Sequence, residues 1–337
     1  MMLTVLENLP AGLLDLPATE LGNHLAGPTL IHLPGRMAEP LFVSVLLHGN
    51  ETTGWLAVRE FLARNLPGGL NRRLSLLLGN VQAARAGLRM LENGPDFNRI
   101  WEGAPEHPAA EKMVQQILDE MRRRRVFASI DIHNNTGRNP HYACVNRLHP
   151  AYLQLARGFG HTVVYFMRPR GVQSRAFSTL CPAVTVECGQ PGEAPGTKHA
   201  REYLEWASRQ TSFGDQRPTD LDIYHTVAIV RVPESYSFAF DGEDVDLRFH
   251  PDLDHMNFVE LPAGTTLAHV PTDRPLRLHV TDESGADVYE RFLAIANGQL
   301  RTRVPVIPSM FTRDARIIRQ DCLGYLMERY PIESEPI

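Results

Sequence analysis

The chain is poor in cysteine, nearly devoid of lysine, and free of long hydrophobic runs. Its four cysteines, Cys144, Cys181, Cys188 and Cys322, form no CxxC pair and fit neither a disulfide framework nor a structural zinc site. They are expected to be reduced thiols that pack as small hydrophobes, which suits a cytoplasmic protein. No segment approaches the roughly 18–20 apolar residues that span a bilayer. The opening MMLTVLENLPAG lacks the basic start and apolar stretch of a signal peptide. A membrane role is therefore not expected. All but Lys112 and Lys198 of the 34 basic residues are arginine, and the formal net charge is -5. That acidic balance argues against a nucleic-acid partner, whose phosphates demand a basic surface. The arginine excess, by itself, is weak evidence for anion binding.

What is present points to a folded enzyme-sized protein. With 337 residues, 43% of them hydrophobic, the chain can bury a sizeable core. The length suggests roughly two domains of about 150 residues each. Continuous apolar runs at Leu41–Leu47, Leu74–Leu78, Val126–Ile132, His161–Met167 and Ala183–Val186 predict buried strands. Helical patterns over Trp55–Asn65, Ala109–Arg125, Tyr152–Gly158 and Lys198–Arg209 lie among them. This alternation predicts an α/β fold with a mostly parallel or mixed sheet flanked by helices. Near Thr211–Asp220 the pattern shifts to short β-like pieces, such as Thr226–Val232 and Leu276–Val280, divided by turns at Pro262–Gly264 and Asp282–Gly285. The domains expected are thus an α/β part over residues 1–210 and a smaller, mainly β part over 211–337. The Arg122–Arg125 run reads as a solvated helix C-terminus that complements the helix dipole.

Ligands of open α/β sheets bind beyond the carboxyl ends of the strands. The first buried strand is followed by His48-Gly49-Asn50-Glu51, the third by His133-Asn134, and the fifth by Glu187-Cys188-Gly189. An HxxE match alone is cheap, and His199 with Glu202 supplies a second one. That second pair falls inside an amphipathic helix and reads as surface polar residues. His48 and Glu51 instead sit on a strand-to-helix turn, with His133 at another strand end. Two imidazoles and one carboxylate make a catalytic zinc site, with a fourth position left for water. Asp131 lies two residues before His133 on the same strand face, placed to accept the ring N–H of a ligating histidine. Glu187 ends a Val-rich strand, where an idle carboxylate is costly; near an activated water it can serve as a general base. Arg89 and Arg99 are of the type that clamps a carboxylate or stabilises an oxyanion.

HGNE after a strand, Asn-Arg preceded by Asp, then Asp-x-His-Asn, then Val-Glu-x-Gly, in that order over residues 41 to 192, resembles the succinylglutamate desuccinylase/aspartoacylase family of the zinc carboxypeptidase superfamily. The resemblance implies a carboxypeptidase-like α/β domain followed by a β domain that narrows the site. It implies one Zn2+ per chain on His48, Glu51 and His133, and Glu187 as the catalytic glutamate. It implies Arg89 as the arginine that polarises the scissile carbonyl, with Asn98, Arg99, Asn134 and Arg175 binding the substrate. The activity implied is hydrolysis of the amide bond of a small N-acyl amino acid, a small-molecule carboxylate. A homo-oligomer is compatible with the sequence. The chain departs from the desuccinylases proper at Asn134-Asn135-Thr136-Gly137, where these carry a Thr-Ala-Ile-Arg type segment, and in a longer stretch between Arg89 and Asn98. Two other readings use the same residues: a metallocarboxypeptidase acting on short or modified peptides, and a catalytically silent zinc- or ligand-binding protein.

Overall fold

The apolar run at Leu41–Leu47 belongs to a strand that starts earlier and stops sooner than its hydrophobicity suggests. In the computed structural model, which describes residues 2–242, 244–271 and 276–331, this strand covers Gly35–Val45. Its first residues, GRMAE, alternate between exposed and half-buried positions, so hydrophobicity alone does not reveal them. Its end is set by Leu46, which takes a left-handed φ of 58° and turns the chain out of the sheet. The described residues gather into two units.

The first unit comprises residues 2–134, 141–165 and 169–222. Its strands are β1 (Thr4–Leu6), β2 (Thr29–Leu33), β3 (Gly35–Val45), β4 (Leu70–Leu78), β5 (Ala128–His133), β6 (Tyr142–Val145), β7 (Thr162–Tyr165) and β8 (Ala183–Glu187). They lie in the order β1-β2-β4-β3-β5-β8-β6-β7. The pairings β2/β4 and β6/β8 are antiparallel and the other neighbours are parallel, so the sheet is mixed but mostly parallel, as expected. The two strands that introduce the antiparallel steps carry weak signals. His32 interrupts the apolar run of β2, and β6 is only four residues long.

The helices are α1 (Ala18–His24), α2 (Thr53–Asn65), α3 (Val81–Ala86), α4 (Pro108–Arg123), α5 (Pro150–Phe159), α6 (Gln173–Phe177) and α7 (Ala194–Arg209). Prolines at the first turn of α4, α5 and α7 start these helices a few residues before their apolar stripes begin. The helix α4 stops at Arg123. Val126 N–H bonds back to the Met121 carbonyl, and Arg125 adopts a φ of 53°, which delays β5 to Ala128. One core cluster packs α4 and α6 against the sheet through residues such as Phe42, Ile117, Met121 and Phe177. At about 25 cal/mol per Å² of apolar surface removed from water, each such side chain contributes on the order of 1.5–3 kcal/mol.

The second unit comprises residues 135–140, 166–168 and 223 onward. The strand β9 (Asp222–Arg231) pairs antiparallel with β13 (His279–Thr281) and β17 (Gly324–Arg329), and β17 pairs with β16 (Ile307–Ser309). A separate sheet orders β10 (Phe238–Ala239), β11 (Leu247–Phe249), β12 (Thr266–His269), β15 (Gln299–Thr302) and β14 (Leu293–Ala296). Two short helices, α8 (Tyr289–Phe292) and α9 (Ala315–Gln320), complete it. The strand expected over Leu276–Val280 is present only from His279. Leu276 and Leu278 serve the core instead. Residues 332–337 of the expected β part lie outside the described residues. Among the described helices none is long and apolar enough to cross a membrane. All four cysteines are free and buried, as expected of small hydrophobes.

Candidate active site

Three strand ends of the first unit bring the chemistry together. The strand β3 leaves the sheet at Leu46, whose carbonyl accepts the Asn80 N–H at 2.7 Å. The His48-Gly49-Asn50-Glu51 turn follows and leads into α2. Gly49 is required there by space: a Cβ at this position would lie 2.2 Å from the Ala84 backbone nitrogen. Its own N–H donates to the Arg89 carbonyl at 2.9 Å, which ties the Arg89 loop to the turn. A second glycine, Gly54, lets the first turn of α2 close on Val45 and Ile132.

Donor atoms of His48, Glu51 and His133 lie within 4.8 Å of one another, and all three residues are buried. The Glu51 carboxylate meets both imidazoles: Oε1 is 2.7 Å from His48 Nδ1, and Oε2 is 2.7 Å from His133 Nδ1. Each histidine also faces an aspartate through its far nitrogen. His48 Nε2 is 3.0 Å from Asp96 Oδ1, and His133 Nε2 is 2.8 Å from Asp131 Oδ2. Ser44 Oγ donates to the other oxygen of Asp131 at 2.6 Å. Asp131 thus stands where its strand periodicity puts it. Asp96, in contrast, is not marked by its place in the sequence. It lies in a loop two residues before Asn98, and no period or spacing marks it.

This arrangement has an electrostatic consequence. A neutral imidazole carries one N–H, so no neutral tautomer can donate to a carboxylate from both nitrogens. With each Nε2–H given to an aspartate, each Nδ1 presents a lone pair toward Glu51, and lone pairs facing an anion at 2.7 Å repel. A cation held among the two Nδ1 atoms and the Glu51 carboxylate removes that conflict. The donor set of two imidazoles and one carboxylate is that of a catalytic zinc site, and aspartates on the far nitrogens are the usual outer partners of such histidines. The residues therefore fit zinc. Burial alone would raise the Glu51 carboxyl, but His48 and His133 more than offset it and hold it well below the usual carboxylate range. Asp96 behaves likewise: burial raises it, and His48, Arg89 and Arg99 together pull it well below its ordinary value. For His133, burial favours the neutral ring, yet Asp131 and Glu51 raise it well above an ordinary imidazole.

Glu187 ends β8 in direct register with His133 on β5, as Thr185 is with Asp131. Register partners of parallel strands lie side by side about 4.8 Å apart with side chains on the same face, so the buried Glu187 leaves the sheet on the face that carries His133. Arg89 donates from Nη2 to Asp96 Oδ2 at 3.1 Å and keeps Nη1 3.9 Å from Glu51 Oε1. Asn98 is buried; its backbone N–H donates to Asp96 Oδ1 at 2.8 Å and its Oδ1 accepts the Gln173 N–H at 3.1 Å. The latter bond links this loop to α6, which carries Arg175. Arg99 is close enough to Asp96 to lower its pKa, and its Nη1 also reaches the Asn98 carbonyl at 2.9 Å. The Arg175 Nε pairs with Glu102 Oε1 at 2.8 Å.

Asn134 uses both ends of its amide on the scaffold. Its oxygen accepts the Thr53 N–H at the start of α2, and its nitrogen donates to the Gly189 carbonyl at 2.9 Å. Its own backbone N–H donates to Glu51 Oε2 at 3.0 Å. The second HxxE pair stays apart from this cluster. Glu202 is exposed and bound to Lys198, as expected of a surface residue. His199 departs from that expectation: it is half-buried, stacks on Phe159 with centroids 4.1 Å apart, and shares an Nδ1···Nδ1 contact of 2.8 Å with His141. An apolar neighbour on the adjoining helix, invisible in the local pattern, draws it in.

Residues 39–203 match the model of the succinylglutamate desuccinylase/aspartoacylase catalytic domain. Among solved structures, a succinylglutamate desuccinylase/aspartoacylase from Rhodobacter sphaeroides is similar, with a TM-score of 0.58 at 17% identity over 89% of this chain and 88% of that one. Murine aminoacylase 3 gives 0.56 at 17% identity over 88% and 97% of the two chains. The ectoine utilization protein EutE from Ruegeria pomeroyi, in a product-bound structure, gives 0.56 at 17% identity over 90% and 84%. No curated protein sequence matches the chain. The fold and the matched residues define a mixed α/β domain similar to that catalytic domain. Through it the chain resembles the succinylglutamate desuccinylase/aspartoacylase family over just under half of its length.

Proposed function

We propose that the protein is a zinc-dependent deacylase that hydrolyses the amide bond of a small N-acyl amino acid. The observation that carries the proposal is the pair of His Nδ1 atoms turned on the Glu51 carboxylate, each ring fixed from behind by an aspartate. His48, Glu51 and His133 would hold one zinc ion. When bound, zinc supplies Lewis acidity and a water that ionises near neutral pH.

The remaining steps belong to the chain's own residues. Glu187 takes a proton from the attacking water as its oxygen bonds to the acyl carbon, then returns that proton to the departing nitrogen as the C–N bond breaks. Water is thereby added across the amide, and an amino acid and a free acid are released. Arg89 is the group to stabilise negative charge developing on the carbonyl oxygen, and Asp96 orients its guanidinium. Asn98, Arg99 and Arg175 hold the substrate carboxylate; guanidiniums suit that task because their paired N–H groups match its two oxygens. Asn134 acts by position, fastening the start of α2 and the Gly189 loop around Glu51 and Glu187.

The test is a panel of N-acyl amino acids and short peptides incubated with the zinc-loaded protein, with release of free amine measured. Turnover of the N-acyl amino acids is expected. Cleavage of peptides alone would reject this reading in favour of a carboxypeptidase, and intact substrates throughout would favour a silent binding protein. In Glu187→Gln, zinc content is expected to stay near one per chain while turnover falls by about 10³-fold or more. Near-normal turnover in that variant would remove Glu187 from the mechanism.

A further inference from the structure

The arginines that close α4 have a place in the fold that the proposed deacylation does not use. A cavity of about 560 Å³ lies at the edge of the sheet where β3 and β4 begin, opposite the edge that carries His48. From Pro40 to Val45, about 16 Å of strand separates it from the HGNE turn. Arg73, Arg123, Arg124 and Arg125 line it, and Glu7 is the one acidic residue in its wall. Three carboxylates balance part of this charge: Arg124 pairs with Glu7 and Glu120, Arg123 with Glu120, and Arg125 reaches Glu39 at 3.8 Å. Arg73 has no acidic partner among the described residues, so one guanidinium is in surplus.

A second observation concerns His32, also in the wall and only 3% exposed. Its Nδ1 is 2.9 Å from Ser75 Oγ, whereas its buried Nε2 has no hydrogen-bond partner. The Glu120 carboxylate, 3.8 Å from Nε2, is too far for a hydrogen bond but favours the proton on that nitrogen. Ser75 then donates to Nδ1, and an N–H donor is left over beside the arginines. Buried donors rarely go unmet, and a water, an ion or a ligand oxygen is what satisfies such a group. The lining also includes the apolar side chains of Leu33, Pro34, Pro40 and Leu74.

We propose that this cavity binds a small phosphorylated molecule, its phosphate on the arginines and the His32 Nε2–H and its organic part on the proline and leucine side chains. A phosphate offers several oxygens in a tetrahedral array, enough to meet more than one guanidinium and the imidazole together. The volume lies within the usual range for small-ligand sites and exceeds what a bare ion needs. The inference stands independently of the function proposed for the zinc cluster.

The experiment is calorimetric titration of the full-length zinc-loaded protein, at fixed ionic strength, with phenyl phosphate and with inorganic phosphate. Phenyl phosphate is expected to bind more tightly than inorganic phosphate. Arg73→Glu, an exposed position, is expected to weaken it at least tenfold without changing zinc affinity. Arg99→Ala, at the zinc cluster, is expected to leave it unchanged. The His32 Nε2 resonance, followed by side-chain ¹H–¹⁵N spectroscopy, is expected to shift on addition of phenyl phosphate. Equal affinity for the two probes overturns the organic part of the proposal. Binding that survives Arg73→Glu, binding that Arg99→Ala abolishes, or an unmoved His32 resonance overturns the site.

Discussion

Glu51 shows how much a single side chain can organise. Its two oxygens meet two imidazoles, and a backbone N–H from Asn134 shares one of them. Neither histidine can serve it as a neutral donor, because Asp96 and Asp131 already occupy the far nitrogens. The aspartates therefore decide which ring nitrogen is offered to a metal. In Asp96→Asn this tautomer preference is weakened, and zinc affinity is expected to fall about 10–100-fold in a chelator competition. An unchanged affinity would show that Asp96 serves Arg89 alone. The histidines, Glu51 and Glu187 are legible in the sequence because each follows an apolar run, and strand ends of an α/β sheet converge on one rim. Asp96 is not legible: it reaches His48 across a gap of 48 residues, and only the folded loop sets that distance.

At the scale of elements, the turn between β3 and α2 is shaped by demands from outside it. Leu46 accepts a left-handed backbone, at a cost of about 1–2 kcal/mol, and Gly49 is pressed against α3. The N-terminus of α2 has no cap from its own residue Thr52; the acceptor for the Thr53 N–H comes from Asn134, beyond β5. Asn134→Ala leaves that N–H and the Gly189 carbonyl without their partner. It is expected to lower stability by about 1–3 kcal/mol in denaturant unfolding. A loss within about 0.5 kcal/mol, the scatter of a neutral surface change, would mean that solvent replaces the amide. The long apolar strands and the amphipathic helices α2, α4, α5 and α7 were readable because burial on one or both faces writes a period into the sequence. β2 and β6 were not, since a polar His32 and a length of four residues erase that period.

For the molecule as a whole, pH acts in part through two histidines, His141 and His199, whose pKa is lowered in the fold. Burial, then the charge of His199, lowers the pKa of His141, while Glu193 works the other way. Burial also lowers His199, opposed by its bond to the Phe159 carbonyl and by Glu202, and assisted by Lys198. A group with a depressed folded pKa leaves the native state with fewer bound protons than the unfolded chain. Its stabilisation is complete above the unfolded value of about 6.5 and is lost as pH falls through the folded value. Melting temperature is therefore expected to drop between pH 7 and pH 5, and to drop less in His199→Gln. Parallel profiles for the two proteins would rule the pair out as a source of acid sensitivity.

Periodic burial makes the strands, the main helices and their α/β order visible along the chain, and strand-end chemistry makes His48, Glu51, His133 and Glu187 visible with them. These are local signals, since each depends on residues within one or two elements. The tertiary structure decided what local signals cannot carry: the aspartate behind His48, the use of Asn134 as a cap, the burial of His199 against Phe159, and the grouping of Arg73 with the arginines that close α4. In each case the partners are far apart in sequence, and only the packing of the sheet and its helices determines which of them meet.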